Sequence, residues 1–355
     1  MLKQAVNEFR AQLLLKSVSP LLIREGRYFE ERRQEWARSP DDRKRMPHAI
    51  PISRSTEAAI KSAVCDPRPV EKVQGLDFYV PGSSLRGTWR SYLERTLRSL
   101  SSPDNSYICD PFAGKGEGHD ESCSTRLATV RDELEERKVP PGRRNPQLIP
   151  YAISCPVCKL FGSTMQAGRI RIGDGEWINR PEGRIVEREH VLINRKSGQV
   201  ARGALFKFFG ILGATFRVEI SVQNFELWHL ALVGSVLKDL SLLPLGSCKN
   251  KGYGRVQGTV EGISLASFGT AEPDQRLRGV ADHPDSGRAL SYQQRYNIRP
   301  SANLPEVPSV SWEKVSPWRF ECSLDWTAFE TAWKQIAVPW GDFQPLSARA
   351  LPEAR

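Results

Sequence analysis

The stretch least able to make a core of its own constrains this chain most. From Ser102 to Pro150 the sequence is polar, broken by Pro and Gly and without apolar periodicity, yet four of the seven cysteines, Cys109, Cys123, Cys155 and Cys158, lie within or just after it. A loop of that length needs something other than a core to hold it. Cys155-Pro-Val-Cys158 presents two thiolates to one tetrahedral ion, and two further ligands arriving from a distant loop complete the set. Four thiolates leave no open coordination position, so the spacing predicts a structural zinc that organises an insertion over residues 102–163 and does no chemistry. His119 and Cys123 compete for one of the four places. An odd number of cysteines without an export signal argues for thiols or metal ligands rather than a disulfide framework.

Regular elements flank the insertion. Phe9 to Ile23 is rich in apolar residues and runs through a Ser-Pro, which reads as a first strand entering a loop. Residues 24–66 are charged and irregular, an expected arm or insertion. Leu85, Trp89, Leu93, Leu97 and Leu100 share one helical face, with Ser83 or Ser84 as the natural N-cap. Strands follow at Arg169 to Trp177, Ala214 to Val222 and Arg255 to Leu265, with a helix at Leu227 to Leu243. Strand, helix, two strands, helix, strand is the split βαβ order, so the expected class is α+β with a ferredoxin-like (RRM-like) core over residues 1–266. Residues 267–355 form a C-terminal extension to which no role is assigned. Trp326, Phe329, Trp333 and Ile336 in it fit a helix burying one face.

Net charge narrows the partners. Lys and Arg number 51 against 41 Asp and Glu, a formal +10, which suits a polyanion such as nucleic acid. The N-terminus lacks an apolar core of signal-peptide length and no uncharged run approaches a membrane span, so the chain is expected in the cytoplasm with no membrane partner. Two turns gather the cations. Pro81-Gly82-Ser83-Ser84-Leu85-Arg86-Gly87 opens a helix carrying Arg86, Arg90, Arg95 and Arg98, where free N–H groups, hydroxyls and guanidiniums make a phosphate site. An ordinary capped helix is the competing reading. Gly246 to Arg255 is a Gly-rich turn with Lys249, Lys251 and Arg255, and Tyr253 is placed to stack on a base. It is not a nucleotide P-loop, because the Lys-Ser/Thr ending and following helix are missing. A third basic segment, residues 187–203, carries Arg195 and Lys196. Asp66 is the acidic candidate, able to hold hydrated Mg²⁺ against a phosphate or position a 2′-hydroxyl, or else simply to form a turn beside its prolines.

Four blocks together resemble the RAMP superfamily of CRISPR-associated proteins, most closely the Cas-seven-like backbone subunits of type III effector complexes. They are Tyr79 to Gly87, Cys155 to Ser163, Ile193 to Gly198 with Gly203 to Phe206, and the Gly246 to Val256 loop. The resemblance implies an RRM-like core that holds crRNA by its backbone through Ser83, Ser84, Arg86, Arg90, Arg195, Lys196, Lys249, Lys251, Tyr253 and Arg255. It implies a thumb-like hairpin pressing between bases, formed by the arm at residues 24–65 or by the basic segment at 187–203. Other effector subunits would stack in a helical filament, with target RNA as a further partner. Members that cut target RNA are similar in carrying an aspartate soon followed by a proline and an aliphatic residue. Asp66 with Pro69-Val70 takes that place with one extra residue between, and Asp77 is the substitute. Metal-dependent target-RNA cleavage, with Mg²⁺ as cofactor, is therefore the secondary expectation.

Two other readings stay open at this level. One is a non-catalytic structural subunit of the same complex. The other is an endoribonuclease that processes the guide precursor through a His or a Tyr-Lys constellation. For that role His48 and His190 are available, and neither has an obvious orienting partner in the sequence.

Overall fold

A computed structural model describes residues 4–24, 29–100, 108–114, 121–136, 138, 150–307 and 311–339. The chain opens with β1 (Asn7–Ser17) and four short helices, α1 (Phe29–Trp36), α2 (Pro40–Arg45), α3 (Glu57–Val64) and α4 (Pro69–Val73). Then come β2 (Tyr79–Val80), the long α5 (Gly82–Ser99), α6 (Cys123–Glu136), α7 (Pro150–Ile153) and α8 (Pro156–Phe161). Short strands β3 (Gly162–Ser163), β4 (Gln166–Ala167), β5 (Ile170–Ile172) and β6 (Gly175–Trp177) lead to the longer β7 (Arg184–Ile193), β8 (Val200–Leu212) and β9 (Thr215–Gln223). The C-terminal part adds α9 (Leu227–Lys238), β10 (Val256–Phe268), α10 (Ser286–Tyr296), β11 (Glu313–Ser316), β12 (Arg319–Leu324) and α11 (Trp326–Trp333).

The result is a mixed α/β protein with antiparallel sheets. The main sheet runs β11-β12-β10-β1-β9-β6-β2, with β5 also paired to β9. Alternation decides which face is covered. Phe9, Ala11, Leu13 and Leu15 of β1 and Phe216, Val218, Ile220 and Val222 of β9 are buried, whereas Arg10, Lys16, Arg217 and Glu219 point the other way. Antiparallel sheets tolerate one solvated face in this manner. Helices α5, α9 and α11 pack together over the apolar side, with Phe9 and Phe329 ring centroids 5.1 Å apart. Gly234 lets α11 come close, since a Cβ there would sit 2.5 Å from the Trp333 ring. Register on the other side of β1 slips once, between Gln12 and Leu13, leaving Glu261 of β10 as the extra residue.

Several expectations need correction. The α5 N-cap is Pro81, not Ser83 or Ser84, and makes no side-chain cap bond. Proline suits a helix start because it has no N–H to satisfy there. Helix α5 buries Leu85, Trp89, Leu93 and Leu97 as expected, but Leu100 stands at the C-cap and is 61 % exposed. The strand expected from Arg169 to Trp177 divides into β5 and β6, because the Gly173 N–H turns to the Glu219 carbonyl and Asp174 turns to the α5 N-terminus. Residues 24–66 are not irregular where described. They fold into α1, α2 and α3 and bury Phe29, Trp36, Ile60 and Val64 in the main core. Beyond residue 267, β12 pairs with β10, so the same sheet continues into the C-terminal segment. Among the described residues no helix is long and apolar enough to cross a membrane.

A buried polar network stitches α7 to α9. The Tyr151 hydroxyl donates to Glu226, the residue capping α9, and the Glu226 N–H donates to His229 Nδ1 at 2.9 Å. Arg169 stacks on the Tyr151 ring at 4.1 Å. Burial, with Arg169 and Lys159 nearby, holds the His229 pKa well below its ordinary value. The unfolded chain binds a proton at His229 near pH 6.5 and the folded one does not, so this contribution is present above that pH and is lost as pH falls. Folding stability measured by urea denaturation is expected to drop by about 1 kcal/mol per pH unit below about 6.5. His229→Leu should flatten that slope, and a variant profile parallel to the wild type would refute the assignment.

Candidate functional site

The cysteines predicted from spacing converge. Cys155 caps α8 with Pro156 following, which directs Cys158 back over it, and the Cys158 N–H donates to Cys155 Sγ at 3.4 Å. Cys123 opens α6, and its sulfur accepts from the Cys155 N–H at 3.2 Å. All four of Cys109, Cys123, Cys155 and Cys158 are buried, with sulfurs within 4.8 Å of one another. The Cys109–Cys158 and Cys109–Cys155 separations are both 3.7 Å. Tetrahedral Zn–S bonds of about 2.3 Å demand S···S distances of about 3.8 Å. The donor set therefore fits a metal such as zinc. Interaction with the Cys109, Cys123 and Cys158 sulfurs draws the Cys155 thiol well below its usual range. His119, the competitor for one position, lies outside the described residues.

Helix α5 carries its arginines into this centre. Arg86 donates to the Ile170 carbonyl at 3.1 Å and to the Phe161 carbonyl, and lies over the Phe161 ring. Arg90 spans Glu94 at 2.8 Å, the Gly162 carbonyl at 3.0 Å and Cys158 Sγ at 3.3 Å. Arg98 donates to the Cys109 carbonyl at 2.7 Å. Burial opposes the charge on Arg90, but the neighbouring Cys158 sulfur and Glu94 carboxylate offset it and raise the pKa above its ordinary value. A cleft of about 420 Å³ opens beside the cysteines, lined by Arg86, Arg90, Ser122, Ser124, Ser163 and Gln166 among others.

At the start of α5 the expected phosphate turn is altered by a residue the sequence did not single out. The Gly82 N–H donates to Asp174 Oδ1 at 2.8 Å, and Arg54 holds the other carboxylate oxygen at 3.2 Å. Gly82 is required for this approach, because a Cβ would lie 2.3 Å from the Ile172 carbonyl oxygen. Ser83 is exposed and Ser84 half-buried in the first turn.

The glycine-rich turn lies farther along α5, where Arg95 and Lys249 are close enough to interact. Partial desolvation against the loop and then Arg95 lower the Lys249 pKa, although the residue stays open to solvent. Positive φ at Gly246, Cys248, Gly252 and Gly254 folds the loop back onto the segment after β1. Gly254 is indispensable, since a Cβ would lie 2.0 Å from the Leu245 carbonyl oxygen. Lys249, Lys251 and Arg255 are exposed. Tyr253 does not stand open for stacking. It is 1 % exposed, burial pushes its pKa up to about 12, and its hydroxyl lies 3.0 Å from His190 Nε2. His190 thus gains an orienting partner after all, as does His48, whose Nδ1 accepts from the Lys207 N–H at 3.1 Å. Arg24 and Lys251 flank the Phe208 ring and Arg188 the Tyr253 ring. These cations on an aromatic base escaped sequence reasoning, because residues 24, 188, 208 and 251 meet only in the fold.

Strands β7 and β8 form a ribbon whose turn presents Arg195 and Lys196, with Asn194 Oδ1 accepting from the Lys196 N–H at 2.9 Å and Gly198 at positive φ. Val191, Leu192, Ile193 and Val200 beside that turn are all exposed. Asp66 sits apart from these groups, in the turn between α3 and α4, where its Oδ1 accepts from the Arg68 N–H at 2.8 Å. Asp77 pairs with Arg180. Among the described residues the four cysteines are the one group of three or more such side chains close enough to share an ion, and Asp66 belongs to none.

Compared with known families, residues 14–257 match the model of the RAMP superfamily. That span begins in β1, ends in β10, and contains the cysteine cluster, α5 and the glycine-rich loop. A search of curated proteins returns no match.

The reduced protein is expected to bind one equivalent of Zn²⁺ or Co²⁺, the latter with the strong absorption of thiolate coordination. Outer partners of a metal ligand are worth about 10–100-fold in affinity, so Cys155→Ser, which removes a ligand, should cost more than that. Equal metal uptake by the variant in a chelator competition would rule the centre out.

Proposed function

The chain belongs to the RAMP superfamily, and from that premise we propose that it is a guide-RNA-binding backbone subunit of a type III CRISPR interference complex. The observation that carries this reading is the glycine-rich loop, where Lys249, Lys251 and Arg255 face solvent on a backbone pinned from behind. Cations without a matching set of base-reading groups hold a sugar-phosphate chain and carry no sequence information. The strand order β10-β1-β9-β5, with α5 and α9 on one face, supports a ferredoxin-like core, since it interleaves two βαβ units. The β7–β8 ribbon is the candidate thumb: its apolar tip suits contact with bases, and Arg195 and Lys196 suit phosphates. The fully buried cysteines favour zinc as a structural ion that fastens the insertion and takes no part in a reaction. In this reading the protein works in the cytoplasm, stacked with other effector subunits along crRNA and facing target RNA.

Asp66 already serves a turn, which favours the scaffold role over target cleavage. Mg²⁺-dependent cutting at Asp66 predicts that assembled complexes carrying Asp66→Ala leave target RNA intact at one or more of the original positions. Cutting at every original position would exclude Asp66.

A second reading draws on one geometry. His190, whose pKa is lowered by partial burial and then by Lys251 and Arg188, lies 3.0 Å from Tyr253 in a basic surround. Such a group could take a proton from a 2′-hydroxyl in a guide-precursor nuclease. Site-specific cutting of repeat RNA by the isolated protein, lost in His190→Ala, would favour this over the scaffold.

For the scaffold, binding of single-stranded RNA should weaken linearly in log K against log salt. Lys249→Ala with Lys251→Ala should reduce the slope by about 0.7 for each phosphate that is no longer neutralised, equally for unrelated sequences. An unchanged slope, or a weakening confined to one sequence, would overturn the loop's assigned role.

A further inference from the structure

The arginines of α5 look like a phosphate-binding row in sequence, but three of them are spent on the metal-bearing loops. Arg86 reaches the carbonyls of Phe161 and Ile170, Arg90 reaches Gly162 and the Cys158 sulfur, and Arg98 reaches the Cys109 carbonyl. Two of the four cysteines are therefore bonded directly to one helix. That same helix begins at the Ser83-Ser84 turn and carries Arg95 beside Lys249 of the glycine-rich loop. Ser83 and Arg95 are twelve residues apart, about 18 Å along the helix axis. Both expected RNA contacts thus hang on the element that the metal centre grips.

Charge gives the link its physical basis. A divalent ion with four thiolates carries two negative charges, and burying them demands a cation. Arg90 is that cation: its guanidinium is half-buried, 3.3 Å from Cys158 Sγ, and locked in place by Glu94 and the Gly162 carbonyl. We infer that Arg90 is a positioning residue that couples metal occupancy at the four cysteines to the RNA grip of α5 and the glycine-rich loop. Without the ion the buried sulfurs take up protons and lose their negative charge, which weakens the Arg90 anchor and loosens the helix that sets both contacts. By linkage, RNA must raise metal affinity by the same factor as metal raises RNA affinity. This coupling rests on the RNA-binding reading above. The Arg90–Cys158 contact does not.

Two measurements on the full chain test it. First, Zn²⁺ is titrated against a competing chelator with and without a saturating single-stranded RNA, and RNA affinity is measured with and without Zn²⁺. Wild type is expected to show coupling of about fivefold or more in both directions. Arg90→Met should bring the factor close to one, and Arg90→Lys, which keeps the charge on a single donor nitrogen, should recover part of it. Second, in the Co²⁺-loaded protein without RNA, Arg90→Met should move the sulfur-to-metal charge-transfer band to longer wavelength, because without the N–H···S bond the sulfur electrons are less tightly held. No coupling in a wild type that binds both ligands would overturn the inference, and so would full coupling with an unmoved band in Arg90→Met. Should Arg90→Met fail to fold, the size of the wild-type coupling and the coupling and band of Arg90→Lys decide: full coupling with an unmoved band in Arg90→Lys would overturn the inference. A chain that binds no RNA refutes the function proposed above, and the cobalt band still reports on Arg90.

Discussion

Everything at the candidate site depends on how four sulfur atoms from separate parts of the chain are brought within bonding reach of one ion. The four cysteines, with Cys109 lying 3.7 Å from both Cys155 and Cys158, come from three places in the chain: a turn after α5, the first residue of α6 and the capped start of α8. Leu127, Val130, Leu134 and Ile153 form a small apolar cluster of their own, while Ile108, Val157, Leu160 and Phe161 join the main core. A metal there would cross-link these pieces, and the arginines of α5 tie them to one helix.

The second constraint is the division of the main sheet into a covered and a bare face. Helices α5, α9 and α11 use the apolar residues of β1, β9 and β10, so the groups proposed to meet RNA lie at edges, turns and ribbons instead of the packed side. Loops on a rigid scaffold are where binding residues concentrate, because their backbone can be shaped without disturbing the core. The glycine-rich loop shows how: positive φ at four residues bends it onto Pro20 and Leu22, and the lysines are left outside.

Much of this was legible in the residues. The cysteine set could be read because metal ligation depends on residue type and a short spacing, both visible in sequence. Helix α5 and strand β9 could be read because their apolar periodicity is uninterrupted. The true partners of Arg86, Arg90 and Arg98 could not, since they are carbonyls and a sulfur supplied by a segment some 70 residues away for the first two. Phe29, Trp36, Ile60 and Val64 were hidden among charges, with too few apolar neighbours each to show a period. Strand β12 did carry alternation at Phe320, Cys322 and Leu324, but over only six residues. Tyr253 misled because an aromatic in a basic turn reads as a stacking platform, while its burial depends on His190 and Phe208 arriving from the ribbon.

The central claim is that a cationic, glycine-shaped surface grips a sugar-phosphate chain without reading its bases. Photocrosslinking of single-stranded RNA to the purified protein, followed by identification of the linked peptides, tests it most directly. Adducts are expected in the Gly246 to Arg255 loop, the start of α5 and the β7–β8 turn, alike for RNAs of unrelated sequence. Adducts confined to the segment after β10, or none at modest salt, would contradict it.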